Sequence, residues 1–431
     1  QGQVLTMLMS TRVALCAAAA SLLLLNTSVH GSAVSASRHL PNKAEGEKAE
    51  LSSSRRLQDQ DAEETNVIKT NGGGGITDAI SDFFFDDECD RTEKDVSRLT
   101  DLSGWMSQLD PDTLLTDVTL PGTHHSGLYE LSTTVNDNDP EYKTIQDNSY
   151  GVPTEVISSA LCRFSMTQSL SISEQLQAGI RYLDLRIDLD SETSTFRAFH
   201  VLFGPSVEVL LGQIAEFVRE HPREIVVVEM AELVNPAATA SDKLKLQQVI
   251  LETFGSALIP EPADGLPDLP TVGQLQQSGT TVLVAVQDED VEGGSDLLWS
   301  TSVFRNTFAN SADLDRMVAY NEERLDEFEA DRSYGSRRLS KLSWLLTPDQ
   351  AYIKDYVLTG SIHELAIEAN GALEKFAADN QGKTLGNVLL LDYFETSPIF
   401  DVLGLSDKSE GEFVPESGAT TNAFAVISLT L

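Results

Sequence analysis

Three of the chain's seven histidines stand at the ends of short apolar runs. His124 and His125 follow Val118-Thr119-Leu120-Pro121-Gly122-Thr123, and His200 closes Phe196–His200. Asp184 and Arg186 alternate with leucines in Ile180-Arg181-Tyr182-Leu183-Asp184-Leu185-Arg186-Ile187. Asp392 comes directly after Val388-Leu389-Leu390-Leu391, and Glu229 directly after Ile225-Val226-Val227-Val228, with Glu232 just beyond. Two imidazoles, a guanidinium and carboxylates around one opening suit cleavage of a phosphodiester. One imidazole takes the proton of an attacking hydroxyl, and another donates to the leaving oxygen. The guanidinium stabilises charge on the phosphoryl oxygens. A carboxylate behind the base histidine fixes its tautomer. Each residue also has a plainer use. A lone histidine after a strand often caps or packs, Asp184 and Arg186 can form an internal ion pair, and Glu229 can partner a barrel arginine.

The elements that would hold these groups follow from periodicity. Residues 118–120 read as a short strand closed by Pro121-Gly122, and 179–188 as a second strand. Its period of two places Leu183, Leu185 and Ile187 on one face and Tyr182, Asp184 and Arg186 on the other. With the leucines against helices, the charged pair points inward. Residues 196–200 read as a third strand. Val207, Leu210, Leu211, Ile214, Phe217 and Val218 recur at helical spacing. The runs at 225–228, 281–286 and 388–391 are uninterrupted and apolar, and residues 243–254 are helical in pattern. Apolar runs separated by helices mark parallel strands covered on both faces. The expected fold is α/β, an irregular (β/α)8 barrel, in which working residues sit at the C-terminal strand ends.

The chain has 431 residues, 41% of them apolar and 23% charged, which is enough for a sizeable core. Sixty-seven acidic residues face 30 basic ones, a net charge of −37. Nucleic acid is therefore not an expected partner, because phosphate backbones require a basic surface. The same charge opposes tight docking on an anionic membrane. No apolar run reaches the roughly 18–20 residues of a membrane span.

Residues 1–36 read as a secretory signal peptide. Arg12 precedes the apolar stretch Val13–Leu25, and the small residues Val34-Ser35-Ala36 supply a cleavage site. The expected localisation is secreted. Of the three cysteines, Cys16 lies in the signal, and Cys89 and Cys162 either pair or remain buried thiols. Residues 37–100 read as a disordered acidic segment with the run Gly72–Gly75 and one apolar cluster, Phe83–Phe85. The barrel is expected over 101–404 and a polar tail over 405–431.

From Trp105 to Glu232 the chain resembles the X domain of phosphatidylinositol-specific phospholipase C. The resemblance rests on Leu120-Pro121-Gly122-Thr123-His124-His125-Ser126, on Met166-Thr167-Gln168, on Gly179 to Arg186, on His200, and on His221-Pro222-Arg223-Glu224. Leu342-Ser343-Trp344, Thr347-Pro348 and Leu391-Asp392-Tyr393 extend it more loosely. The resemblance implies His124 as general base toward the inositol 2-hydroxyl and His200 as general acid toward the diacylglycerol oxygen. It implies Arg186 beside the phosphate in place of the carboxylate of calcium-dependent members, so that no metal and no cofactor are expected. It further implies Asp392 as the carboxylate orienting the base and Asp184 as an acid beside the arginine, and Glu229 is taken as substrate-binding. The implied partner is an inositol phospholipid or a glycosylated lipid anchor, acted on by a monomer. One position departs from the bacterial pattern: an imidazole, His125, replaces the acid that assists the general acid histidine.

Two other functions stay open on the sequence. A metal-dependent glycerophosphodiesterase of the same barrel type needs a carboxylate cluster, which Arg186 opposes. A barrel that binds a phospholipid or phosphate without turning it over fits the strong negative charge and His125.

Overall fold

The computed structural model describes residues 94–413, other than 95, 98, 144–159, 264, 294, 334–337, 357–358 and 407–410. The expected signal peptide, Phe83–Phe85, Cys89 and most of the two terminal segments lie outside the described residues.

Eight strands run parallel: β1 (Leu120–Thr123), β2 (Tyr182–Asp190), β5 (Val226–Ala231), β6 (Val282–Val286), β7 (Trp299–Ser300), β8 (Phe304–Arg305), β9 (Leu339–Trp344) and β10 (Val388–Leu391). Their spatial order is β7-β6-β5-β2-β1-β10-β9-β8. This is chain order read around a ring, with the last strand paired to the first. The two ends of the sheet, β7 and β8, are joined by only Thr301–Val303. A link that short spans about 3.3–3.6 Å per residue, so the sheet must curl until its ends meet. The result is the expected irregular (β/α)8 barrel, with no ladder between β7 and β8.

Two strands differ from the sequence reading, and each for a clear reason. Pro121-Gly122 does not end β1 but lies inside it. Leu120 and His124 donate their N–H groups to β10, at Asn387 and Leu391. The N–H that Pro121 lacks would face β2, where the ladder begins only at Gly122. Gly122 is required there because a Cβ would come within 2.9 Å of Val388 and 3.0 Å of Tyr182. The third strand, β3 (Thr195–His200), is not a barrel strand. It folds back antiparallel on the far half of β2, from Ile187↔Ala198 to Asp190↔Thr195, and pairs with β4 (Leu202–Ser206). The nine-residue β2 outruns the barrel, and its free upper half serves as the template for this hairpin.

The helices follow their sequence signals. In α1 (Ile172–Gln177) Ser171 and Glu174 form a reciprocal capping box, satisfying two otherwise orphaned N–H groups. Ser206 caps α2 (Val207–Glu220), which buries Val207, Leu210, Leu211, Ile214, Phe217 and Val218 against the sheet. Each such side chain contributes about 1.5–3 kcal/mol on full burial. The later helices include α3 (Ala240–Phe254), α4 (Val272–Ser278), α5 (Leu314–Ser333) and α6 (Ile362–Asp379). No described helix is long and apolar enough to cross a membrane.

The alternation in β2 resolves as expected. Leu183 and Leu185 are fully buried outward. Tyr182 points into the barrel, where its hydroxyl donates to Glu229 of β5 and accepts from Lys341 of β9. At the lower end of the barrel Arg181, with no exposed surface, pairs with Glu224 at 2.7 Å and donates to four backbone carbonyls.

Candidate active site

The register of β10 on β1 creates the first contact of the candidate site. Leu391 lies opposite Thr123, so the next residues, Asp392 and His124, emerge side by side at the mouth. His124 Nδ1 is 2.8 Å from Asp392 Oδ1. An ionised carboxylate only accepts, so in the neutral ring Nδ1 carries the proton and Nε2 keeps its lone pair. Burial works against the charged ring, but the Asp392 charge, its hydrogen bond and Asp184 outweigh it, and the His124 pKa is raised. Arg186 opposes that rise.

The backbone around this pair is held firmly. Gln168 is fully buried, and its Nε2 donates to the carbonyls of His124 and Leu391 at 2.9 and 3.1 Å. Asn370 of α6 donates to the carbonyls of Asp392 and Tyr393. Thr167 binds the His125 carbonyl through its hydroxyl. Among the described residues, four of the six non-glycine residues with positive φ adjoin the site: His125 (41°), Val201 (63°), Glu232 (66°) and Tyr393 (42°). A β-branched residue in this region is strained, and such strain concentrates where side chains must be aimed.

Arg186 sits where β2 leaves the barrel, opposite Ala231 and just before the hairpin. Its guanidinium lies 4.9 Å from the Phe199 ring centre. Glu232 Oε2 approaches its Nε to 2.5 Å, a charge contact without hydrogen-bond alignment, and Glu141 Oε1 lies 3.5 Å from Nη1. His200 reaches the same mouth by an unexpected route, since β3 runs antiparallel and descends toward the opening. Its Nδ1 is 3.3 Å from the Ser165 carbonyl and its Nε2 is 3.0 Å from Glu141 Oε2. Both partners are acceptors, so either ring nitrogen, when it carries a proton, has an oxygen to donate to.

His125 packs between the two. Its ring centre is 3.7 Å from that of His124 and 5.0 Å from that of His200. Its Nδ1 is buried without a partner among the described residues. Burial, then His124, His200, Arg186 and Lys341, push its pKa well below the usual histidine value. It is a neutral ring at pH 7.

Glu141 carries no site expectation in the sequence, and Glu232 appears there only as the acid beyond Glu229. Glu141 lies in the helical residues 140–143, preceded by Asp139, a capping residue, with proline at the first position. That signal marks a turn but says nothing about where the turn docks. Docking is decided by Asp139, which is fully buried: Oδ1 accepts from Glu141 N at 2.7 Å and Oδ2 from Val201 N at 2.8 Å. Asn136 N also donates to the Val201 carbonyl. The turn is thereby stitched to the residue after His200. Position 141 thus places a carboxylate against His200. The charges of His200 and Arg186 hold the Glu141 pKa down at about 2.

Glu229 stands elsewhere. Strand β5 continues through Ala231, so Glu229 is inside the strand and Glu232 occupies its end. Glu229 is 5% exposed and faces the barrel interior, with Lys341 Nζ at 2.5 Å and Tyr182 as a second donor. Its partner is a lysine of β9, not a barrel arginine, because β9 lies across the barrel and Lys341 reaches over the Tyr182 and Phe304 rings. Those bonds commit a carboxylate taken as substrate-binding. Asp184 lies at the mouth, its main chain tied to Ser126 by two hydrogen bonds. One ligand atom each from His124, His125 and Asp184 falls within 4.8 Å of the others, close enough to hold a metal ion.

No protein-family model matches the chain. The mouse PI-PLC X domain-containing protein 1 is 31% identical over 205 residues, 46% of this chain and 57% of that protein. The human protein of the same name is 30% identical over 191 residues, 43% of this chain and 57% of that protein. Human PI-PLC X domain-containing protein 2 is 29% identical over 255 residues, 57% of this chain and 77% of that protein. The chain therefore spans a little over half the length of the first curated relatives it matches. Among solved structures, the phosphatidylinositol-specific phospholipase C of Listeria monocytogenes aligns with 71% of this chain and 98% of its own, at 18% identity and a TM-score of 0.49. Over about half its length the chain is thus similar to curated X-domain, phospholipase-C-like proteins.

Proposed function

We propose that this protein is a secreted phosphodiesterase that cleaves the glycerol–phosphate bond of inositol phospholipids or of glycosylated lipid anchors. The observation that carries the reading is the His124–Asp392 pair, whose hydrogen bond leaves Nε2 of His124 as a base at the barrel mouth beside Arg186 and His200. In the proposed step His124 Nε2 takes the proton of the inositol 2-hydroxyl, whose oxygen attacks phosphorus. The bond from phosphorus to the glycerol oxygen breaks, and His200 gives that oxygen a proton. Arg186 stabilises the charge on the phosphoryl oxygens. The products are a cyclic inositol phosphate and diacylglycerol. Asp392 orients the base, and Asp184 adds negative charge beside it.

No metal is assigned to the step. The only cluster of ligating groups found among the described residues, His124, His125 and Asp184, offers two nitrogens and one carboxylate. Calcium takes six to eight oxygens, so this donor set does not suit it. Arg186 beside it adds Coulomb repulsion to any cation. Secretion is supported by the disulfide at Cys162, whose partner lies outside the described residues, because such bonds persist in oxidising compartments.

The test is cleavage of phosphatidylinositol micelles in excess EDTA, with His124→Ala alongside. Cyclic inositol phosphate formed in EDTA and lost with the substitution is the expected result. Activity only after calcium is added would overturn the metal-free assignment. No product under either condition would favour a barrel that binds phosphorylated ligands without cleaving them.

A further inference from the structure

The proposed step leaves one chemical difficulty. An acid must present an N–H to the leaving oxygen, and both nitrogens of His200 are already committed. Nδ1 faces the Ser165 carbonyl in the interior, and Nε2 faces Glu141. The same Glu141 carboxylate reaches Arg186, 3.5 Å from Nη1. It thus touches both groups assigned to phosphate transfer, and with one oxygen on each. A carboxylate presents two oxygens from one carbon, much as a phosphodiester presents two from one phosphorus.

We infer that Glu141 is an internal anion that occupies the phosphate subsite in the free protein, and that an anionic substrate must displace it. This rests on the phosphodiesterase reading for its substrate, though not for the subsite itself. Three observations argue for displacement rather than a fixed partnership. First, the Glu141 side chain is 54% exposed, while His200 and Arg186 are 10% and 9% exposed, so the carboxylate is the part free to move. Second, its backbone is anchored independently through Asp139, so the side chain can swing into solvent without loosening the turn. Third, Arg186 keeps Glu232 on Nε and Phe199 beneath it when Glu141 leaves, so it stays in place to meet a phosphate. Among the described residues His200 also has the neutral His125 as a neighbour, at 5.0 Å between ring centres. Glu141 is ionised across the physiological range, so the device is a standing competitor and not a pH switch.

The inference separates Glu141 from a residue that takes part in the reaction. A participant should lower turnover when removed. A competitor should weaken anion binding while present and release it when removed. The probe is inorganic phosphate, titrated calorimetrically into the wild-type protein, Glu141→Ala and Glu141→Ala/Arg186→Met. Phosphate should bind Glu141→Ala at least about tenfold tighter than wild type, equivalent to about 1.4 kcal/mol. The double variant should lose that gain. Equal or weaker phosphate binding by Glu141→Ala would overturn the inference. A second arm measures phosphatidylinositol cleavage by Glu141→Gln, where a lower KM with kcat maintained is expected. A fall in kcat at unchanged KM would also overturn it, by making Glu141 part of the chemistry. If the wild-type protein cleaves no phosphatidylinositol, the phosphodiesterase reading fails on that arm, and the phosphate titration still decides the role of Glu141. Thermal melts of each variant verify that the exposed substitution leaves the fold intact.

Discussion

Replacing Asp392 by Asn probes the pair on which the functional reading rests. The side chains are nearly isosteric, and Asp392 is held through its backbone carbonyl by Asn370, which the substitution leaves untouched. Two effects follow from the 2.8 Å contact with His124. The first is loss of a charge-assisted hydrogen bond, worth about 1.5–3 kcal/mol. At about 1.36 kcal/mol per decade that is roughly a 10- to 150-fold loss of rate. The second is a tautomer error. An asparagine amide can donate to Nδ1, which moves the ring proton to Nε2, the position the base needs empty. In hydrolases with an Asp–His pair this exchange lowers kcat by about 10⁴. The expected fall in kcat/KM for phosphatidylinositol therefore lies between about 10² and 10⁴. The pH profile carries a sign as well. Burial lowers the His124 pKa, and the Asp392 charge, its hydrogen bond and Asp184 together outweigh it. Without the Asp392 charge, burial and Arg186 lower it and Asp184 alone works against them. The acid limb of kcat/KM should move to lower pH even as the plateau falls. A loss below about fivefold, or an acid limb that stays where it was, would refute the assignment of His124 as base with Asp392 behind it.

Three further outcomes are expected. His125 is a buried histidine whose folded pKa lies well below its unfolded value, so the unfolded chain binds the extra proton. Its contribution to stability is present above about pH 6.5 and is lost as pH falls toward the folded pKa; denaturant titrations should show less acid-side loss in His125→Asn than in wild type. His124, with its raised pKa, acts in the opposite direction: its contribution is full below the unfolded pKa and is lost as pH rises through the folded one. Glu224→Leu should cost about 3–5 kcal/mol in urea unfolding, because Arg181 is then left charged and without its ion pair in the barrel floor; a cost under about 1 kcal/mol would show that its four carbonyl contacts suffice. Arg186→Lys should fail to restore more than a small part of the activity lost in Arg186→Ala, since one ammonium cannot meet two phosphoryl oxygens as a planar fork does; full activity with lysine would reduce Arg186 to a point charge.

The local elements and the residue types at their ends are legible in the sequence. Uninterrupted apolar runs marked the buried parallel strands, and a period of two turned Tyr182, Asp184 and Arg186 to one side of β2. The histidines and Asp392 were legible as strand-end groups because apolar runs stop where the barrel opens. Tertiary structure alone decided who meets whom. The pairing of His124 with Asp392 spans 268 positions and comes from the register of β10 on β1. His200 reached the mouth only because β2 outgrew the barrel and templated an antiparallel hairpin. Glu229 and Glu232 are three residues apart, yet one lies inside the barrel against Lys341 and the other at the rim on Arg186. Glu141 gave no chemical signal in a polar turn, since its meaning depends on Asp139 fastening that turn beside His200. Periodicity reports which side of an element is buried. It does not report strand register, hairpin direction or loop docking, because those are set by contacts between residues far apart in the chain.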